Sequence, residues 1–567
     1  MGKVWQIVSR QDAWSILSSN INAGILDVFE KIVLEVLREL DPTFKLSFKE
    51  RLMAQVRGKV TRHSPYLRNG LAEMLAMLAS YGDRDCRNIG VISMQDKVSW
   101  WIRQILMEDM SGHRWGSLED RQLPLLAEAS PVIFLEAVET GLKGDNPPIM
   151  ELFIDEGDMG GCRYANLLWS LEGISWNLDY LARAARILAK LSRLYSGGRY
   201  SNHPSSSLGR IFHGLFPQTR ATLDDRLNVI DSLIAYESES GWHLLLNLLP
   251  EKGGGISTPI HKPEFREWND GWKPGTTRDE ANKHGAAIVE RVLIHIDGEP
   301  NVRWPEFIGK IPQLPRKSLN EAINKLESKS IDDFSDEAVS KIFEDLRNIV
   351  IENKRFSKAD WALPEETIYQ LEKILSKFAP SDIVKKHKFL FDEYYPDLLD
   401  IDLSQDREKR YELIEQARQS ALRDIWGIQN ISGIEDLIID AKVPGTAGNS
   451  LGNSSFANEV EATVLGWLSS NNESLSSAAK AYVGARHRRD PSWIRCVRMQ
   501  QESWSEKVWA AFCLGLPFDK PIFEFLENLP SETKRYYWEN VRHYYLSKED
   551  YNYANFHWSS VKPTTQL

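Results

Sequence analysis

The stretch Ile25-Leu26-Asp27-Val28-Phe29-Glu30-Lys31-Ile32-Val33-Leu34-Glu35-Val36-Leu37-Arg38-Glu39-Leu40, closed by Asp41-Pro42, decides how the rest of the chain reads. Ile25, Phe29, Ile32, Val33, Val36, Leu37 and Leu40 recur at intervals of three and four, the spacing that gives an α-helix one apolar face. The pattern returns down the chain. Leu223, Leu227, Ile230, Leu233 and Ile234 carry it behind Thr222 and Asp225, which stand at capping-box spacing. Ile342, Phe343, Leu346, Ile349 and Val350 repeat it, and so do Ile414, Ala417, Ala421, Leu422 and Ile425. Between such segments lie short breakers: Ser130-Pro131, Asn146-Pro147-Pro148, Leu314-Pro315, Ala379-Pro380 and Leu529-Pro530. Strand-like alternation is nearly absent. Amphipathic helices joined by short turns must bury their faces on one another. The expected fold is therefore all-α, an irregular α-solenoid of stacked antiparallel helix pairs with long loop insertions. No strict repeat period is visible.

Three segments interrupt the helical pattern. The first runs from Ser196-Gly197-Gly198-Arg199 through Asn202-His203-Pro204 to Phe216-Pro217-Gln218-Thr219. The second runs from Lys252-Gly253-Gly254-Gly255 through His261, Trp268 and Trp272 to Pro274-Gly275. Long irregular connections in compact domains are often functional. The third, Val443-Pro444-Gly445 to Asn453-Ser454, is rich in Gly, Asn and Ser and reads as a linker. This divides the chain into N-terminal helical repeats (1–195), repeats carrying the two insertions (196–440), a linker or flexible loop (441–456) and aromatic-rich C-terminal repeats (457–567).

Composition narrows the function. Of 567 residues, 42% are hydrophobic and 26% charged, which fits a folded protein. Against 80 Asp and Glu stand 69 Lys and Arg, a formal charge of -11 that disfavours a phosphate-backbone binder. The 19 tryptophans supply anchors for cores or interfaces. Cys86, Cys162, Cys496 and Cys513 are too scattered for a disulfide framework or a zinc cluster. No apolar run is long enough to cross a membrane, and Met1-Gly2-Lys3-Val4-Trp5-Gln6 holds no secretory core. The expectation is a soluble, cytoplasmic protein.

Motifs for chemistry are missing. Gly58-Lys59-Val60-Thr61 lacks the leading glycine and the order of a Walker A loop, and no dinucleotide-binding glycine motif follows a strand. The histidines never form His-Glu-x-x-His, and there is no Gly-x-Ser-x-Gly elbow. No cofactor, metal or catalytic residue is therefore assigned, and the expectation is a non-enzymatic recognition scaffold. Arg199, Asn202, His203, His261, Trp268 and Trp272 are its candidate partner contacts, with Tyr537, Trp538 and Tyr545 from the C-terminal aromatic cluster. Two other readings stand beside it. One is a hydrolase or metal-dependent enzyme with a site between helical domains around His203, His243 and His261. The other is a nucleic-acid-binding solenoid using Arg486-His487-Arg488-Arg489.

Several strings carry a resemblance: Gly197-Gly198-Arg199-Tyr200-Ser201-Asn202, Phe216-Pro217-Gln218-Thr219, Ser257-Thr258-Pro259-Ile260-His261-Lys262-Pro263 and Asp360-Trp361-Ala362-Leu363-Pro364-Glu365-Glu366. Together with the helices around Leu123–Pro131, they resemble the helical sensor region that follows the ATPase core in large bacterial STAND-type proteins, a group that includes antiviral sensors. The resemblance spans most of residues 1–440. It implies a helical region that recognises a foreign protein, often from a phage, and releases oligomerisation of an attached NTPase and effector. The chain departs from that plan in lacking Walker motifs and any effector signature. The resemblance then implies either a part of a larger protein or an NTPase partner acting in trans.

Overall fold

The computed structural model describes residues 7, 9–51, 53–86, 93–107, 111–118, 121–154, 162–195, 197, 201–250, 258–399, 407–501 and 503–541. Helices and short 3-10 turns make up the regular structure, with no β-strand among the described residues. None of the helices is long and apolar enough to cross a membrane. The chain forms two compact units, residues 1–298 with 313–320 and residues 299–312 with 321–567. The expected boundary at 441–456 is not where the chain divides.

In the first unit, helices pack on their near neighbours in sequence. The Pro65–Asp85 helix rests on Met94–Leu106 and Gln122–Ala129, and Gln122–Ala129 rests on Ala165–Ile174. Leu178–Leu194 packs on Leu223–Tyr236 and Ser238–Asn247, which in turn meet Arg278–His295. Nearest-neighbour stacking of this kind is what defines a helical solenoid. Helix starts are fixed by side-chain caps. Ser64 accepts from the Leu67 N–H, and Pro65 occupies the first turn, where its missing N–H costs nothing. Thr222 and Asp225 form the expected reciprocal capping box. The Ala23–Leu37 helix also forms, but its buried stripe runs through Leu26, Val33, Val36 and Leu37, leaving Ile25 and Ile32 exposed. Both sides of that helix are apolar, so periodicity alone could not choose the inward face.

The first interruption is less irregular than its composition implied. Pro204–Ile211 is a helix, and the His203 ring caps it by accepting from the Ser205 N–H at 3.2 Å.

The second unit overturns the linker. Pro444–Asn453 is a helix with Thr446, Ala447, Gly448, Ser450, Leu451 and Gly452 buried against the Glu473–Arg489 helix. Gly and Ser serve here as a thin surface that lets two backbones approach. A Cβ on Gly448 would lie 1.9 Å from the Ala478 carbonyl oxygen. Of the C-terminal aromatics, Tyr537 and Trp538 are likewise interior. Tyr537 and Trp538 are 1% and 2% exposed, and Trp538 packs on Phe518 and Phe523. They are core residues, and their expected role as partner anchors falls. Arg486 binds Glu461 and Asn458, Arg488 binds Asn449, and Arg489 donates to the Ser454 carbonyl. The basic cluster is thus used to hold neighbouring helices.

Replacing Gly448 with Ala is expected to force these helices apart, at the roughly 1–3 kcal/mol typical of overpacking. The Cβ of Gly445→Ala meets only ordinary contacts at 3.7 and 3.9 Å, so that variant should be neutral or slightly stabilising. Urea denaturation of the two variants checks the contrast.

Candidate functional site

Residues 258–277 form a strap without helix that lies along the first unit. Pro259, Pro263 and Pro274 remove backbone donors, and Gly271 and Gly275 take positive φ values of 74° and 85°. The strap does not stand off the helices. It runs back across them. From Thr258 beside Arg210, it reaches Glu172 and Trp176 at His261, then Glu128, Tyr81 and Gln95 at residues 264–266. It returns past Tyr180 at Trp268 and ends beside Leu215 at Thr276.

Two buried carboxylates hold it. Glu128 is 5% exposed and accepts three successive backbone N–H groups: Glu264 at 2.9 Å, and Phe265 and Arg266 each at 2.5 Å. Glu172, 1% exposed, accepts the His261 N–H at 2.9 Å, the Ser207 hydroxyl at 2.6 Å and Arg210 at 2.9 Å. Carbonyls of the strap are met as well. Trp176 donates to the His261 carbonyl at 2.9 Å, and Tyr81 to that of Phe265 at 2.8 Å. Arg121 clamps Glu264 through both carboxylate oxygens. Lys262 sits 4.3 Å from the ring centre of Trp272 and 5.2 Å from that of Trp176, a cation over two faces.

Electrostatics follow from this burial. Desolvation raises the Glu128 pKa despite the three N–H groups that lower it. Burial depresses His261, whose ring stacks on Trp169, and also His203. His203 gives one ring nitrogen to the Tyr195 carbonyl and accepts at the other, so it is neutral with a fixed tautomer. His243 is exposed. Among the described residues, no three His, Cys, Asp or Glu side chains are placed to hold a metal ion. Of the histidines of the enzymatic reading, His203 is engaged at Tyr195 and Ser205 and His261 against Trp169.

Of the expected contacts, His261, Trp268 and Trp272 come together on the strap. Trp272 donates to the Pro217 carbonyl at 3.0 Å, and Trp268 packs edge-on to Tyr180. Asn202 lies half-buried beside His203. Arg199 and Tyr545 lie outside the described residues. Sequence reasoning missed Glu128, Glu172 and Arg121. The signal was there: Glu128 is the lone charge in Leu123–Ala129, as Glu172 is in Leu167–Ile174, and a carboxylate amid apolar helix residues is buried and needs a partner.

The strap's outer edge borders an open depression of about 560 Å³ lined by Pro217, Arg220, Trp272, Lys273, Thr277 and Glu280. Phe216, 38% exposed, lies against Gly275, and Trp169, 41% exposed, flanks His261. Arg220 and Lys273 are exposed. Apolar area, indole and two cations on a braced backbone make a surface suited to binding.

No family model matches the chain, and no curated protein matches it. Among solved structures, it is similar to a chain in a homology model of the full-length AP-3 complex, with 12% identity, 94% of each chain covered and a TM-score of 0.23. A Kap121p mutant matches at 11% identity and TM-score 0.24, over 94% of this chain and 54% of that one. Kap121p bound to Nup53p matches at 12% identity and TM-score 0.20, over 96% and 55%. The chain thus spans about half the length of the Kap121p chains it matches.

One prediction follows from the pinning and a second from a buried histidine nearby in the sequence. Glu128→Ala leaves one buried and two part-buried N–H groups without their acceptor, the buried one at Phe265 costing about 1–3 kcal/mol. Hydrogen exchange of residues 264–266 should accelerate well beyond that of the Leu178–Leu194 helix; equal acceleration in both would mean general unfolding. The second concerns His284, which is 1% exposed. Burial, followed by the charges of Arg226 and His213, pushes its pKa down to about 4. A histidine with a folded pKa below its unfolded value stabilises the protein above about pH 6.5, and that contribution is lost as pH falls toward the folded value. At about 1.4 kcal/mol per unit the loss reaches roughly 3 kcal/mol by pH 4. Glu128 acts in the opposite sense only near the carboxylate range. Melting temperature should therefore drop between pH 7.5 and 5.5, and His284→Asn should flatten that drop.

Proposed function

We propose that the chain is a non-enzymatic helical-repeat scaffold for protein recognition, and that it serves as the sensor module of a bacterial antiviral STAND-type system. The partner is a foreign protein, of phage origin on that reading, and the NTPase and effector are supplied by another chain or another part of the same one. One observation carries the proposal. A non-helical segment crosses several helices, is pinned through buried carboxylates, and presents Trp272 and Lys273 at its outer edge, beside Phe216 and Arg220. Rigid presentation lowers the entropy that binding must overcome, which is the physical advantage of bracing a recognition loop. The sequence resemblance supplies the antiviral part of the reading; the strap supports the recognition part.

The test uses the tagged chain and an R220E/K273E variant, purified from phage-infected and uninfected cells and analysed by mass spectrometry. The reading expects a phage protein retained in stoichiometric amount by the wild type and lost from the variant. Identical retained proteins for both forms, infected or not, would sink it.

A further inference from the structure

The second unit carries its own cleft, of about 850 Å³. It opens between the end of the Asp336–Arg355 helix with the turn after it, residues 396–399, and the start of the Arg407–Asp440 helix. Its floor is apolar. Ile351 and Ile414 are buried, and Leu399 and Phe356 line it while remaining 37% and 46% exposed. Phe356 is held in place against Trp361, with ring centres 5.7 Å apart. Among the described residues lining it, four are cations, Lys354, Arg355, Lys358 and Arg410, and one is a carboxylate, Asp397.

Two of these cations are engaged: Lys354 pairs with Glu372 and Arg355 with Asp397. They also complement the negative end of the helix that ends at Arg355. Lys358 and Arg410 lie beyond that helix, and neither pairs with a carboxylate among the described residues. Among the described residues, an apolar-floored cleft lined by four cations and one carboxylate stands out in a chain of net charge -11.

We propose that this cleft is a second docking site, which takes a short acidic segment of a partner protein with an apolar side chain set between its carboxylates. The assignment rests on the recognition reading and adds the chemistry of the partner. The apolar side chain would enter beside Phe356, Leu399 and Ile414, with carboxylates reaching Lys358 and Arg410. Cavities of this size hold ligands of several residues. Charge favours a peptide over nucleic acid. Opposite charges act within a Debye length of about 8 Å, so a short acidic segment feels the local cations. A polynucleotide would run out over the acidic remainder of the surface and would lack the cationic track that such binding needs.

Fluorescence anisotropy on the full chain tests this with three labelled probes: a short peptide of alternating Glu and Leu, its Gln and Leu counterpart, and single-stranded oligothymidylate. The acidic peptide should bind, weaken with added salt, and lose about tenfold in affinity in K358E/R410E, as expected for a charge-steered contact. The amide peptide should bind far more weakly. Neither substituted side chain pairs with a carboxylate among the described residues, so circular dichroism and melting should be unchanged; Lys358→Ala with Arg410→Ala gives the same test without charge reversal. Absence of acidic-peptide binding, equal affinity in wild type and variants, or equal binding of the amide peptide overturns the proposal. So does oligothymidylate binding more tightly than the peptide and being lost in K358E/R410E, which would make the cleft a nucleic-acid site. The R220E/K273E variant should bind the peptide normally, so failure here is separable from failure of the strap as a recognition surface.

Discussion

Three backbone N–H groups in a row, at Glu264, Phe265 and Arg266, point at one buried carboxylate, Glu128. Their arrangement explains much of the first unit. A segment containing three prolines cannot satisfy its own backbone by forming helix, and buried polar backbone must be satisfied somewhere. The helices supply what the strap lacks. Glu128 and Glu172 accept its N–H groups, while Trp176 and Tyr81 donate to its carbonyls. The cost of desolvating each carboxylate is offset because several donors converge on it; a single donor would leave the charge under-compensated.

The same economy recurs with the sign reversed. Helix ends leave carbonyls without partners. Buried arginines meet such groups: Arg68 donates to the Val36 and Ser117 carbonyls, and Arg418 to those of Leu390, Glu393 and Tyr394. Arg226, fully buried, reaches Glu280 at 2.6 Å. One planar group with five donors can tie two chain segments together, which lysine cannot do with the same geometry. In each unit, then, irregular backbone is held by charged side chains from the helices, and apolar packing holds the helices themselves.

This division marks what the sequence could disclose. Helical periodicity reads apolar packing, so the helices and the Thr222 capping box were legible. The strap was legible as irregular, because prolines and glycines speak to local conformation. Its course was not, since the Tyr81–Phe265 contact joins residues 184 apart and no local pattern encodes it. The Gly448 helix was misread for a related reason. Gly, Asn and Ser have low helix propensity, and only the approach of Ala478 reveals that smallness was the property selected. Tyr537 and Trp538 show the reverse case, where residues suited equally to interface and core are placed only by their neighbours.

A solenoid held only by nearest-neighbour contacts can flex at every interface, because each interface contributes its own small term. The strap adds to those contacts in the first unit by joining several helices at once: Arg121 and Glu128, Glu172 and Trp176, then Tyr180 and Leu215. Bending between those helices must break hydrogen bonds to buried carboxylates, which is far costlier than sliding apolar side chains. The segment that supplies Trp272 and Lys273 to that surface is therefore the segment that stiffens its own support. The surface proposed for recognition and the bracing of the helices beneath it thus draw on the same twenty or so residues.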